Sequence, residues 1–276
     1  MSPWLQERKP GQHTLRGYYW DERNNSVRYR DRGVNAFCFG IDLLSLHGQR
    51  KNRVVLETGY FHHIDTKGSE ARTLMLDHGP EALTGEQRCD FARLLLSLEA
   101  RRPVNVQRLR NEAPDFFRKS LDNDPEILAA MAAAGISETP SAFAEKHLGV
   151  TLDDRAMLII QKLVDNPRVG GRLINAHWQI KRLKPEHGSL MLCDRPLVRT
   201  QGYDRDGTVW FLPLGPHLAF TAANHHENAR RIKRASPATF VCRANQSTAA
   251  QAEKYVFSID DRHATKLGRY LSRADV

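Results

Sequence analysis

At 276 residues, with 41% hydrophobic and 26% charged side chains, the chain is long enough to bury a sizeable core. No apolar run approaches the roughly 20 residues that cross a bilayer, and the opening MSPWLQERKPGQH lacks the apolar stretch of a secretory signal, so a cytoplasmic protein free of membrane is expected. The formal charge of +9 is carried by the two ends: residues 1–55 hold 10 Lys/Arg against 5 Asp/Glu, residues 225–276 hold 10 against 5, and residues 56–224 hold 21 against 22. A basic excess confined to segments can form a patch, whereas an even one would bear only on solubility. Cys38, Cys89, Cys193 and Cys242 are far apart and form no C-x-x-C pair. They are expected to be buried thiols in a reducing compartment, without a zinc or redox role.

In chain order, Tyr18–Asp21 and Val27–Arg30 flank Asn24-Asn25 and predict a hairpin, with Asp21 opposite Arg28, Trp20 opposite Tyr29 and Tyr19 opposite Arg30. Val34–Phe39 is apolar enough for a further strand. Glu57–His78 has a helical pattern stopped by Gly79-Pro80, with Gly68 suggesting two shorter pieces. Thr84 and Gln87 have the spacing of a capping box, and Phe91, Leu94, Leu95 and Leu98 form the buried stripe of a helix ended by Pro103. Helices follow at Asn105–Lys119, Pro125–Ala134 (Asp124 as cap, Gly135 as stop), Pro140–Leu148 and Asp153–Val164. Gly170-Gly171 reads as a turn. The alternation from Ile174 to Leu183 is that of a half-buried strand. Ser189–Cys193, Thr208–Leu212 and His217–Thr221 read as three more strands. Helices at Glu227–Ala235, Pro237–Phe257 and Asp261–Leu271 end the chain.

This order is not a βαβ alternation. The fold class is α+β, with a mostly antiparallel sheet drawn from the N-terminal hairpin and residues 174–222. No linker marks a boundary, so residues 1–276 are expected to form a single domain, subdivided if at all into 1–55, 56–168 and 174–276.

Two residues invite chemistry. Asp194 follows the apolar strand Leu190–Cys193, and Pro196 fixes the exit of the chain; its carboxylate either opens into a pocket or caps the turn. Arg102 extrapolates onto the apolar stripe of the Thr84 helix, with Arg88 at its edge. A buried arginine needs a partner: Glu57 or Asp65 in a salt bridge, or an anionic ligand clamped bidentately. His62-His63-x-Asp65 and His225-His226 lack the spacing of a metal site, and no phosphate loop or nucleophile elbow is present. No metal or cofactor is expected. Arg28, Arg30 and Arg32 alternate along one strand face beside Tyr19, and Arg230, Arg231, Lys233 and Arg234 crowd one short helix. Spaced cations with an interleaved aromatic suit a nucleic-acid backbone, or a charged edge that resists aggregation.

Several motifs, in consistent order from residue 15 to 257, resemble a bacterial family known as a domain of unknown function, number 4238. They are Leu15-Arg16-Gly17-Tyr18-Tyr19; Glu57, Phe61 and Ile64-Asp65; Ser97-Leu98-Glu99 through Arg102-Pro103; Asp194-x-Pro196, with Cys193 in place of the family's serine; Pro213-Leu214-Gly215-Pro216; and Asn245 with Ala252, Tyr255 and Val256. The family's opening His-x-x-Pro element is missing here, and His13 is displaced from its place. The resemblance implies a bacterial, cytosolic protein and supplies no reaction.

The leading expectation is a protein that engages nucleic acid or another polyanion through its basic ends. The alternatives are a hydrolase or transferase of a small anionic substrate, with Glu57, Arg102, Asp194 and Asn245 in one pocket, and a module whose basic ends meet an acidic protein.

Overall fold

The computed structural model describes residues 2–38, 44, 56–149, 151–203, 205–263, 267, 270 and 271. In chain order the elements are β1 (Gln6–Lys9), β2 (Gln12–Asp21), β3 (Ser26–Arg32), α1 (Asn35–Cys38), α2 (His62–His78), α3 (Gly85–Ala100), α4 (Pro103–Asp122), α5 (Pro125–Ala133), α6 (Pro140–His147), α7 (Leu152–Val164), α8 (Pro167–Ile174), β4 (His177–Arg182), β5 (Leu192–Cys193), β6 (Val198–Arg199), β7 (Val209–Gly215), β8 (Leu218–Ala223), α9 (His226–Arg234), α10 (Pro237–Gln251) and β9 (Val256–Phe257). The fold is α+β, with antiparallel strand pairing and a helical middle. No helix among the described residues is long and apolar enough to cross a membrane.

Where one sheet was expected there are two. The first runs β1-β2-β9-β5, with β3 also on β2; the second runs β4-β8-β7-β6. The split is made by β9, which the expected Pro237–Phe257 helix had concealed. Helix α10 stops at Gln251, and Val256-Phe257 pairs with Gly17-Tyr18 on one side and Leu192-Cys193 on the other. The chain packs as two compact units, residues 1–40, 68–99 and 167–276 in one and residues 41–67 and 100–166 in the other; both sheets lie in the first. The N-terminal strands thus belong with the C-terminal third.

Local signals hold well. Thr84 and Gln87 exchange the two bonds of a capping box, Gln87 N–H to Thr84 Oγ1 at 3.3 Å and Thr84 N–H to Gln87 Oε1 at 2.9 Å. Asp124 caps α5 by accepting from the N–H groups of Glu126 and Ile127. Gly135 ends α5 with φ +69°, and the bonds Gly135 N–H to Ala132 C=O and Ile136 N–H to Met131 C=O complete a Schellman motif that a left-handed residue makes possible. Pro213 lies inside β7, at an irregularity in its pairing with β8 between Pro213 and Gly215, the position where a missing N–H is tolerated.

Other expectations are corrected. The β2–β3 register is Asp21 to Ser26, Trp20 to Val27, Tyr19 to Arg28 and Tyr18 to Tyr29, two residues from the predicted one. The loop is longer because Glu22–Asn24 forms a 3-10 turn and only Asn25 takes the left-handed conformation. A slip of two preserves the faces, so Arg28 still meets Asp21 (3.2 Å) and Arg30 still lies over Tyr19 (4.6 Å), diagonally. Asn35–Cys38 is a helical turn instead of a strand, with Phe37 packed edge-on to Tyr255 and Phe257; Phe39 lies outside the described residues. Gly170-Gly171 is inside α8 rather than in a turn. Within Asp261–Leu271, Asp261–His263 is a 3-10 turn, and residues 264–266, 268 and 269 lie outside the described residues.

Candidate functional site

Asp194 terminates β5 and turns its carboxylate onto the segment that leads into β9. Its Oδ1 accepts from Glu253 N–H at 2.9 Å; its Oδ2 accepts from Lys254 N–H at 2.7 Å and Tyr255 N–H at 2.8 Å. The next residue adds a second tie, since Arg195 pairs with Glu99 of α3 at 2.9 Å. The Arg195 carbonyl accepts from the Cys193 thiol and from the Gln251 side chain. Burial pushes the Cys193 thiol up to about 12, so it is a neutral packing group at ordinary pH. The Asp194-x-Pro196 loop is therefore a clasp joining β5, α3 and the end of α10. Asp194 holds chain, and the cap reading accounts for it.

Asn245 plays a similar part. It is buried; its Oδ1 accepts from Met191 N–H and its Nδ2 donates to the Ser189 carbonyl, both at 2.8 Å. Both ends of the amide are spent on the segment that leads through β5 to Asp194.

Arg102 is buried as expected, but neither expected partner holds it. Asp65 takes a bidentate pair from Arg101, at 2.7 and 2.9 Å, with the Arg101 guanidinium 4.8 Å over the Phe61 ring. Glu57 is exposed. The reason is geometric. Helix α3 ends at Ala100, and Arg102 is the N-cap residue of α4 with φ −59° and ψ 135°, so a helical wheel carried past Ala100 assigns the wrong neighbour. Glu57 and Arg102 belong to one packing unit, Asp194 and Asn245 to the other.

The cationic segments have a different character. Arg28, Arg30 and Arg32 are all exposed on β3, which pairs with β2 alone among the described strands. In α9, Arg230, Arg231, Lys233 and Arg234 are exposed; Arg230 makes a 3.3 Å pair with Glu227. Helix α9 packs on β4 and β8 of the second sheet. Arg230 and Lys233 border an open hollow of about 1000 Å³ together with Arg182, His177 and His226. The His177 and His226 rings are 5.4 Å apart. No group of three or more metal-ligating side chains occurs among the described residues.

Sequence reasoning missed a set of basic residues that serve helix ends. Arg88 donates to the carbonyls of Ile174 and Ala176 at the end of α8 while lying 4.0 Å over Trp178. Lys181 donates to the Ile232 and Ala235 carbonyls at the end of α9, each at 2.9 Å. Arg182 does the same for Leu76 in the last turn of α2. Burial lowers the pKa of Arg88 and of Lys181. Cations at helix C-termini satisfy orphan carbonyls and the dipole together. The signals in the sequence were the place of Arg88 at the edge of the α3 stripe, and Lys181 and Arg182 in a strand without a nearby acidic partner.

An α+β protein with a pinned Asp-x-Pro clasp and two cationic surfaces is thus defined. Residues 15–262 match the family described as Protein of unknown function (DUF4238), and the chain belongs to that family. No curated protein and no solved structure matches it.

Proposed function

We propose that this protein binds the phosphate backbone of nucleic acid through the arginine face of β3, in the bacterial cytosol. The observation that carries the reading is the row of Arg28, Arg30 and Arg32, all exposed on one face of an edge strand. Alternate strand positions are about 6.6–6.8 Å apart, close to the phosphate spacing of an extended strand. Among the described residues, Arg28 alone of the three pairs with a carboxylate, Asp21. Arg30 rests on the Tyr19 ring, which holds its guanidinium in place at little entropic cost. Helix α9, with Arg230 and Lys233, supplies a second set of cations.

The geometry at Asp194 gives no support to a hydrolase or transferase working through that residue, because three backbone N–H groups already occupy its carboxylate. The test is fluorescence anisotropy with single- and double-stranded oligonucleotides over a salt series. Binding should weaken steeply with salt. Changing Arg28, Arg30 and Arg32 to Glu should lower the slope of log affinity against log salt by roughly 0.7–0.9 for each lost phosphate contact. Absence of binding even at about 50 mM salt, or tighter binding to an acidic polypeptide than to either oligonucleotide, overturns the reading.

A further inference from the structure

A second hollow, of about 210 Å³, lies where α9 and α10 cover the second sheet. Its floor is apolar: Val198, Phe211, Phe240 and Ala244 line it and belong to one buried cluster with Leu183 and Ala219. Thr221 is set into this floor, opposite Phe211 in the β7–β8 register. It is only 1% exposed and lines the hollow, and no hydrogen bond of its hydroxyl occurs among the described residues. A hydroxyl set among apolar side chains gains most by meeting a polar atom of a bound molecule.

Arg231 of α9 and Arg243 of α10 border the same hollow, both exposed. Among the described residues, neither makes an ion pair or side-chain hydrogen bond, and no acidic one lines the hollow. Lys181, 4.9 Å from the Phe240 ring, is committed to the carbonyls that end α9. The hollow therefore combines an apolar floor, one threonine in that floor and two guanidiniums without an ion pair among the described residues. It is smaller than a drug-sized site, which starts near 300 Å³.

We infer that this hollow binds a small amphipathic carboxylate, a short apolar acid with one hydroxyl or oxo group on its body. The carboxylate is taken by Arg231 and Arg243, whose forked donors match it. The apolar body lies against Phe211 and Phe240, and its oxygen meets the Thr221 hydroxyl. This inference is independent of the nucleic-acid reading, which rests on β3.

Titration calorimetry of the full chain with 3-hydroxyoctanoate, octanoate and octanamide tests it. The hydroxy acid should bind one to one and tightest, and the uncharged amide at least about ten-fold more weakly than octanoate. Arg231→Ala with Arg243→Ala, both exposed and therefore harmless to folding, should cost the acids a similar factor. Thr221→Val should bring the hydroxy acid down to the level of octanoate, with the melting temperature checking that the variant folds. No heat from either acid at millimolar concentration overturns the inference. So does an amide that binds as well as the acid, or acid binding that the arginine pair leaves unchanged. Equal losses for octanoate and 3-hydroxyoctanoate in Thr221→Val would overturn the assignment of an oxygen on the ligand body.

Discussion

At the residue scale, Asp194 shows what a single side chain can and cannot disclose. Its place after an apolar strand and before Pro196 was visible in the sequence. Its partners, 59 to 61 residues downstream, were not, because no local rule pairs a strand end with a segment that far away. Asp194→Ala removes the acceptor of three N–H groups, of which those of Glu253 and Lys254 are exposed and that of Tyr255 is part-buried, and should destabilise by roughly 1–3 kcal/mol, the range for lost hydrogen bonds to a charged group. Urea unfolding checks this, and a loss under about 1 kcal/mol would show the clasp to be dispensable. The neighbouring Cys193 makes a pH prediction. Its thiol is held protonated up to about 12, against about 8.5 in an unfolded chain. Above the unfolded value the unfolded state binds fewer protons than the folded one. Stability is therefore unaffected by this group below pH ~8.5 and falls by up to about 1.4 kcal/mol per unit above it. Cys193→Ser, which keeps a donor for the Arg195 carbonyl, should flatten that alkaline decline. Parallel stability curves for the two proteins between neutral pH and the alkaline range would refute it.

At the scale of elements, what was legible depended on sequence distance. The capping box of α3, the Asp124 cap and the Gly135 stop are settled within a few residues, and they appear where the sequence puts them. The β2–β3 register depends on the loop conformation, which the dipeptide Asn24-Asn25 alone does not fix. Strand β9 is two residues long and exists because Tyr18 and Cys193 flank it, so propensity gave no sign of it. Glycines divide on the same principle. Gly68, which suggested a break, lies within the continuous α2, and a Cβ there would come 2.5 Å from Leu94 Cβ. Gly68→Ala should therefore destabilise by roughly 1–3 kcal/mol, because overpacking outweighs the gain in helix propensity. Pairing it with Leu94→Gly, which removes that Cβ, should cost less than the sum of the single changes, a coupling that a double-mutant cycle measures. Gly170 and Gly171 lie in α8 with nothing within 4 Å of an added Cβ. There the propensity term acts alone, and each change to Ala should raise stability by about 0.5–1 kcal/mol. Thermal unfolding that moves all three variants in the same direction would refute the steric account.

At the scale of the whole molecule, the question is whether charge acts as a total or as a place. The chain carries +9, and any basic protein attracts nucleic acid to some degree. The arginine row on β3 predicts something narrower: the response should depend on which charges are reversed. Changing Arg28, Arg30 and Arg32 to Glu lowers the formal charge by six. Changing Arg108, Lys119 and Lys162, also exposed but in the other packing unit, lowers it by the same amount. If binding follows net charge, both triples weaken it equally, because an attraction that reads only the total does not depend on where the charges sit. If binding is local, the β3 triple removes direct phosphate contacts and lowers the salt slope by roughly 2–3, while the other triple shifts affinity slightly and leaves the slope in place. Arg230→Glu with Lys233→Glu then asks whether α9 belongs to the same footprint. A shared footprint lowers the slope further in the combined variant, and separate sites leave it at the value of the β3 triple. Anisotropy titrations at four or more salt concentrations separate these outcomes, and equal slopes for the β3 and the distant triple would reduce the basic ends to a solvated surface.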